Sequence, residues 1–139
     1  MMLRRIAPAV ALAAVLALSG TAFASNNGGG PNKSSSSSIS LALPFGAAAT
    51  TGPNYGNTVT FNVSTTATQY PYVNLQCFQN GALVGQGWAG FFAGALGSEA
   101  FGLYSPQWTS GAADCTASLD MNVNGRWKVL ASTSFHVNA

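Results

Sequence analysis

From Ile39 onward, apolar and polar residues alternate with a period close to two, the spacing of half-buried strands rather than of helices. The clearest stretch is Ala113 to Val123. Cys115, Ala117, Leu119, Met121 and Val123 point one way, while Asp114, Thr116, Ser118, Asp120 and Asn122 point the other. Asn124-Gly125 follows, a dipeptide suited to the positive φ angles of a type I′ turn. The return strand, Arg126 to Val137, sets Trp127, Val129, Ala131, Phe135 and Val137 inward against Arg126, Lys128, Ser132, Ser134 and His136. Asn80-Gly81 predicts a second hairpin, with Val73, Leu75 and Cys77 inward before it and Ala82 to Gly85 returning. Val59, Phe61 and Val63 mark an earlier strand. Ile39, Leu41 and Leu43 mark a first one that Pro44 ends. Phe101 and Leu103 fit a short strand bounded by Glu99 and Ser105-Pro106. About seven short strands without a helix after Ala24 make an all-β, two-sheet antiparallel sandwich the economical architecture.

The first 38 residues follow other rules. Residues 1–24 have the form of a signal peptide: basic Arg4 and Arg5, an apolar run from Ile6 to Leu18, and small residues in Ala22-Phe23-Ala24. Cleavage is expected between Ala24 and Ser25. The apolar run is shorter than the ~20 residues that span a bilayer, so no stable membrane insertion is expected after cleavage. Residues 25–38, SNNGGGPNKSSSSS, offer nothing to bury and read as a flexible Gly/Ser-rich linker. Residues 39–139 are then one domain.

Cleavage changes the charge. The formal +2 of the whole chain comes from Arg4 and Arg5, because Lys33, Arg126 and Lys128 balance Glu99, Asp114 and Asp120. A neutral mature chain has no basic patch from which to expect nucleic-acid binding. Export also places Cys77 and Cys115 where they can oxidise. Both face inward on the strand pattern, and a disulfide between them is expected over two free buried thiols. The loop it closes would make it worth roughly 3 to 4 kcal/mol.

The strand Thr58-Val59-Thr60-Phe61-Asn62-Val63, the two cysteines and the run Ser110-Gly111-Ala112-Ala113-Asp114-Cys115-Thr116-Ala117 together resemble a bacterial immunoglobulin-like β-sandwich, of the kind found in small secreted actinobacterial proteins. The resemblance covers nearly the whole mature chain. It implies the fold and no established activity. An antibody-type domain places its first cysteine on the second strand and a tyrosine two residues before the second cysteine. Here Cys77 falls on the third strand and Ala113 takes the tyrosine position.

Catalytic and metal chemistry find little support. Gly85-Gln86-Gly87-Trp88-Ala89-Gly90 matches G-x-G-x-x-G, but no helix follows to hold a pyrophosphate, so a glycine-rich strand end and loop is expected. His136 is the lone histidine, expected to face solvent, so neither a triad nor a zinc site is expected and no cofactor is implied. Asp114 and Asp120 lie ~20 Å apart along one strand. That is beyond the ~5 to 10 Å of glycosidase pairs, and both read as solvated carboxylates.

The aromatics carry the best candidate chemistry. Trp127, Phe61 and Phe135 fall at inward positions and read as core. Tyr70, Tyr72 and Phe78 are out of phase with the inward set, beside Asn74 and Gln76, while Trp88, Phe91, Phe92, Tyr104 and Trp108 fall in or near loops. Tyr72, Phe78, Trp88 and Trp108 are therefore the expected ligand contacts of a secreted, non-enzymatic binding module. Its partner would be an extracellular glycan or protein. A carrier with a small-molecule cleft in the sandwich and a small hydrolase using His136 are the alternatives.

Overall fold

The computed structural model describes residues 34–43 and 52–139. They form seven strands: β1 (Ser37–Ala42), β2 (Thr58–Thr65), β3 (Tyr72–Gln79), β4 (Ala82–Gly90), β5 (Phe101–Gly102), β6 (Ala113–Val123) and β7 (Arg126–Val137). No helix occurs among the described residues. The expected strands at Ala113–Val123 and Arg126–Val137 match β6 and β7 end to end. The expected signal segment with Ala24 and Ser25, most of the expected linker, and Pro44 lie outside the described residues.

The strands form two antiparallel sheets, ordered β1-β2-β5 and β4-β3-β6-β7. The chain lays two strands in the first sheet, two in the second, returns once to the first and ends with two in the second. That alternation is the connectivity of an immunoglobulin-like sandwich. Inward residues from both sheets form one core: Ile39, Val59, Phe61 and Phe101 from the first, Val73, Leu75, Ala117, Leu119 and Val137 from the second.

Both Asn-Gly hairpins form as their dipeptides require. Asn80 and Gly81 have φ of 50° and 80°, and Asn124 and Gly125 have φ of 52° and 79°. These are the left-handed angles of type I′ turns, which match the strand twist.

Cys77 and Cys115 form a disulfide with their Cα atoms 4.1 Å apart. The two residues are direct cross-strand partners on β3 and β6. The bridge therefore lies within one sheet. A cysteine on the second strand would face the other sheet across the core, whereas one on the third strand stands beside the sixth.

Two expected core residues are not core. Val129 and Trp127 are exposed, Trp127 to 50%. The register explains both, because Leu119 pairs with Ala131 but Asp120 pairs with Val129, leaving Leu130 as an extra residue in β7. A bulge of one residue reverses which side every later side chain takes. Ala131, Phe135 and Val137 face inward; beyond the bulge Val129 and Trp127 share the outer face with Asp120 and Asn122.

Candidate functional site

The outer face of the four-stranded sheet gathers the side chains that the core does not need. On it β3 supplies Tyr72, Asn74, Gln76 and Phe78. Their partners on β6 are Asp120, Ser118, Thr116 and Asp114, and β4 sets Trp88 opposite Asn74 and Gln86 opposite Gln76. β7 adds Trp127, Val129, Ser132, Ser134 and His136.

At the Tyr72 end this face carries a continuous aromatic run. Trp88 and Trp127 have ring centroids 5.0 Å apart and planes tilted by 44°. Tyr72 meets Trp127 edge-on at 5.2 Å. Phe92 continues the run, 5.4 Å from Tyr72 and 5.3 Å from Tyr70. Tilted and edge-on contacts at these distances are the favourable ones for rings that carry a quadrupole. Trp88 and Trp127 stay 45% and 50% exposed, so the run covers its neighbours and still presents ring surface to solvent.

The position of the two indoles fixes what lies beneath them. β4 and β7 are the outer strands of this sheet, about 14 Å apart at the usual strand spacing. Rings rooted on them meet only by leaning inward across β3 and β6. Asn74 and Asp120 lie on the strands they cross. Asp120 is only 3% exposed, although it sits on the outer face. The sequence pattern makes it a solvated carboxylate; the aromatic roof is what removes it from water. The Ser118 hydroxyl donates to Asp120 Oδ2 at 2.9 Å, while Asp120 Oδ1 and Asn74 Oδ1 are buried without a hydrogen-bond partner. Burial pushes the Asp120 carboxyl above its ordinary 3.8, and the Ser118 hydrogen bond pulls weakly the other way.

The structure divides the expected ligand contacts. Tyr72 and Trp88 belong to the aromatic run. Phe78 is on the same face but opposite Asp114, six positions along the strand from Tyr72, or about 20 Å. Trp108 is 1% exposed and belongs to the core. Its indole N–H donates to Gly111 O at 3.0 Å and its ring meets Tyr55 at 5.6 Å. Ser105 fixes the loop around it: the hydroxyl accepts from the Trp108 and Gln107 backbone N–H groups and donates to Val84 O. Trp127 and Phe92 join the face without having been expected there, the first because the bulge hides its phase and the second because it lies past the end of β4.

The G-x-G-x-x-G stretch lies entirely inside β4. Gly85, Gly87 and Ala89 pair with Cys77, Leu75 and Val73 and so face inward. A Cβ on Gly87 would fall 2.8 Å from the Phe101 ring, and one on Gly85 would fall 3.4 Å from Trp108. The glycines serve ring packing. A cleft of about 230 Å³ opens at this flank, lined by Gly85, Gly87, Phe101, Tyr104 and Trp108. At the far end of the outer face, His136 Nδ1 lies 2.7 Å from Asp114 Oδ1, with both side chains largely exposed. Among the described residues no three His, Cys, Asp or Glu side chains are placed to share a metal ion.

Compared with protein-family models, with curated proteins and with solved structures, the chain matches none. Its chemistry is therefore read from its own residues.

Proposed function

We propose that this chain is an exported binding module that engages a glycan through the outer face of its four-stranded sheet. The observation that carries the reading is the aromatic run Trp88–Trp127–Tyr72–Phe92–Tyr70 on an open face. Half-exposed indoles present flat apolar surfaces on which sugar rings stack, and Gln76, Gln86, Ser118 and Asn122 beside them offer donors and acceptors for hydroxyls. The near-neutral mature chain has no basic patch to favour nucleic acid. A small-molecule carrier would use the cleft beside Trp108, but 230 Å³ is below the ~300 to 1,000 Å³ of ordinary ligand sites, and the adjoining hollow of about 490 Å³ beside Leu83 and Pro106 is open to solvent and lined by no aromatic ring. The face is the better candidate.

Retention of the purified chain on insoluble polysaccharides and on peptidoglycan tests this reading. Trp88→Ala and Trp127→Ala are each expected to weaken retention about tenfold, as loss of an aromatic anchor does. Retention on none of these materials, or retention indifferent to both substitutions, would count against glycan binding. Export has its own test, because the exported protein should begin at Ser25 by N-terminal sequencing. A secreted chain that still carries Met1 would contradict it.

A further inference from the structure

The aromatic face covers a carboxyl group that no cation among the described residues pairs with. Asp120 is all but removed from solvent beneath the rings, and its Oδ1 has no hydrogen-bond partner. A buried carboxylate ordinarily pairs with a cation or accepts several hydrogen bonds, because burying it alone is strongly unfavourable. Asp120 has one such bond, from Ser118.

The cations of this region stand elsewhere. Arg126 pairs with Val123 and Lys128 with Met121, which places both on the other face of the β6–β7 hairpin. His136 faces the same side as Asp120 but is held by Asp114 at the opposite end. The one close contact between a basic and an acidic side chain found among the described residues is that exposed His136–Asp114 contact. Of the groups facing Asp120 from neighbouring strands, Tyr72 and Asn74 on β3 and Trp127 and Val129 on β7 are all uncharged. What surrounds the carboxylate is π-surface, and ring faces attract cations.

The unsatisfied atoms narrow the chemistry further. Both Asp120 Oδ1 and Asn74 Oδ1 are acceptors, so a ligand group that suits them donates hydrogen bonds, and a positively charged donor suits the carboxylate best. A primary ammonium has three N–H donors; a quaternary one has none. Resting on the glycan reading above, we propose that the ligand is a glycan with free amino groups, a de-N-acetylated amino-sugar polymer. Its ammonium enters between Trp88 and Trp127 and is received by Asp120 and Asn74. Trp88 and Trp127 are 45% and 50% exposed, so the rings over this path are themselves open to solvent. The sugar ring that bears the amine then stacks where the indoles already face solvent. An N-acetylated sugar brings one amide N–H and no charge to the carboxylate.

The test compares a glucosamine hexamer with its fully N-acetylated counterpart, followed by the tryptophan fluorescence of the disulfide-bonded full chain. The free-amine oligomer is expected to bind about tenfold more tightly. Asp120→Asn should reduce that ratio to near one, while Asp114→Asn, which removes an exposed carboxylate from the same face, should leave it intact. A measurement on the unaltered chain does not depend on the variant folding. Since the chain has only three Asp and Glu residues, the carboxyl carbon resonances are readily assigned, and that of Asp120 should move on titration with the free-amine oligomer. Those of Asp114 and Glu99 should not. Equal binding of the two oligomers, a preference that survives Asp120→Asn, or movement confined to Asp114 or Glu99 would overturn the proposal. If both oligomers bind equally and Trp88→Ala weakens both, glycan binding stands without the ammonium. If neither binds, both readings fall.

Discussion

Asp120 is a carboxylic acid held out of water on a face otherwise made of amides, hydroxyls and rings. Burial raises its pKa above 3.8 in the folded chain, so folding favours the protonated form. An acid raised in this way gives a stability contribution that is fully present below its unfolded value and is lost as pH rises through its folded value. Asp120→Asn cannot ionise and has no such dependence. Urea unfolding across the acid range should therefore show the wild type losing stability relative to Asp120→Asn as pH climbs from 3.8, with the gap constant once Asp120 is fully ionised. A gap independent of pH would mean that the carboxyl is not penalised by its surroundings. The same residue shows where reading a sequence stops. Alternation placed Asp120 correctly on the outward side of β6, but outward is not the same as solvated. What covers it comes from Trp88 and Trp127, on strands far apart in the chain.

At the scale of the strands, most of the architecture was legible because the two Asn-Gly turns and the alternation of β2, β3 and β6 all agree. The exceptions are the places where pairing, rather than pattern, decides. Trp127, Val129 and Ala131 alternate without a break in the sequence, so nothing local reveals that Leu130 is extra. Only the register with β6 does. Phe92 and Trp108 lie outside strands, where no period assigns a side chain to a face. The glycines separate two physical roles. Gly125 has φ of 79° and open space within 4 Å of where a Cβ would stand, whereas Gly87 has no positive φ and a Cβ there would meet Phe101 at 2.8 Å. Gly125→Ala should thus cost about 1 kcal/mol through backbone strain alone. Gly87→Ala should cost about 1 to 3 kcal/mol through overpacking and should be partly rescued by Phe101→Leu. Denaturant unfolding of the two glycine variants, each with and without Phe101→Leu, checks this. Rescue of Gly125→Ala by the same second substitution would show that the two effects had been misassigned.

Across the whole molecule, the inner face of the four-stranded sheet carries the core and the outer face carries the proposed binding surface. The disulfide belongs to the first. Because β3 and β6 are already paired neighbours, removing it with Cys77→Ala and Cys115→Ala should leave the β circular dichroism signature in place. Stability should fall by about 3 to 4 kcal/mol, the chain-entropy value for a loop of 38 residues. The three tryptophans draw the same division more sharply. Trp108 fills the core beside Gly85 and anchors its loop through Gly111 and Ser105. Trp108→Ala leaves a large void and strands those polar groups, so a loss of about 3 to 5 kcal/mol is expected, much of the net stability of a small domain. Trp88 and Trp127 contribute ring contacts worth about 0.5 to 1.5 kcal/mol, and cutting either one back to alanine returns water to Asp120, which offsets part of that loss. Trp88→Ala and Trp127→Ala should therefore unfold within about 1 kcal/mol of the wild type while losing the ligand. If either destabilises the chain as much as Trp108→Ala, the indoles are holding the sheet together, and the face has no surface left to give to a ligand.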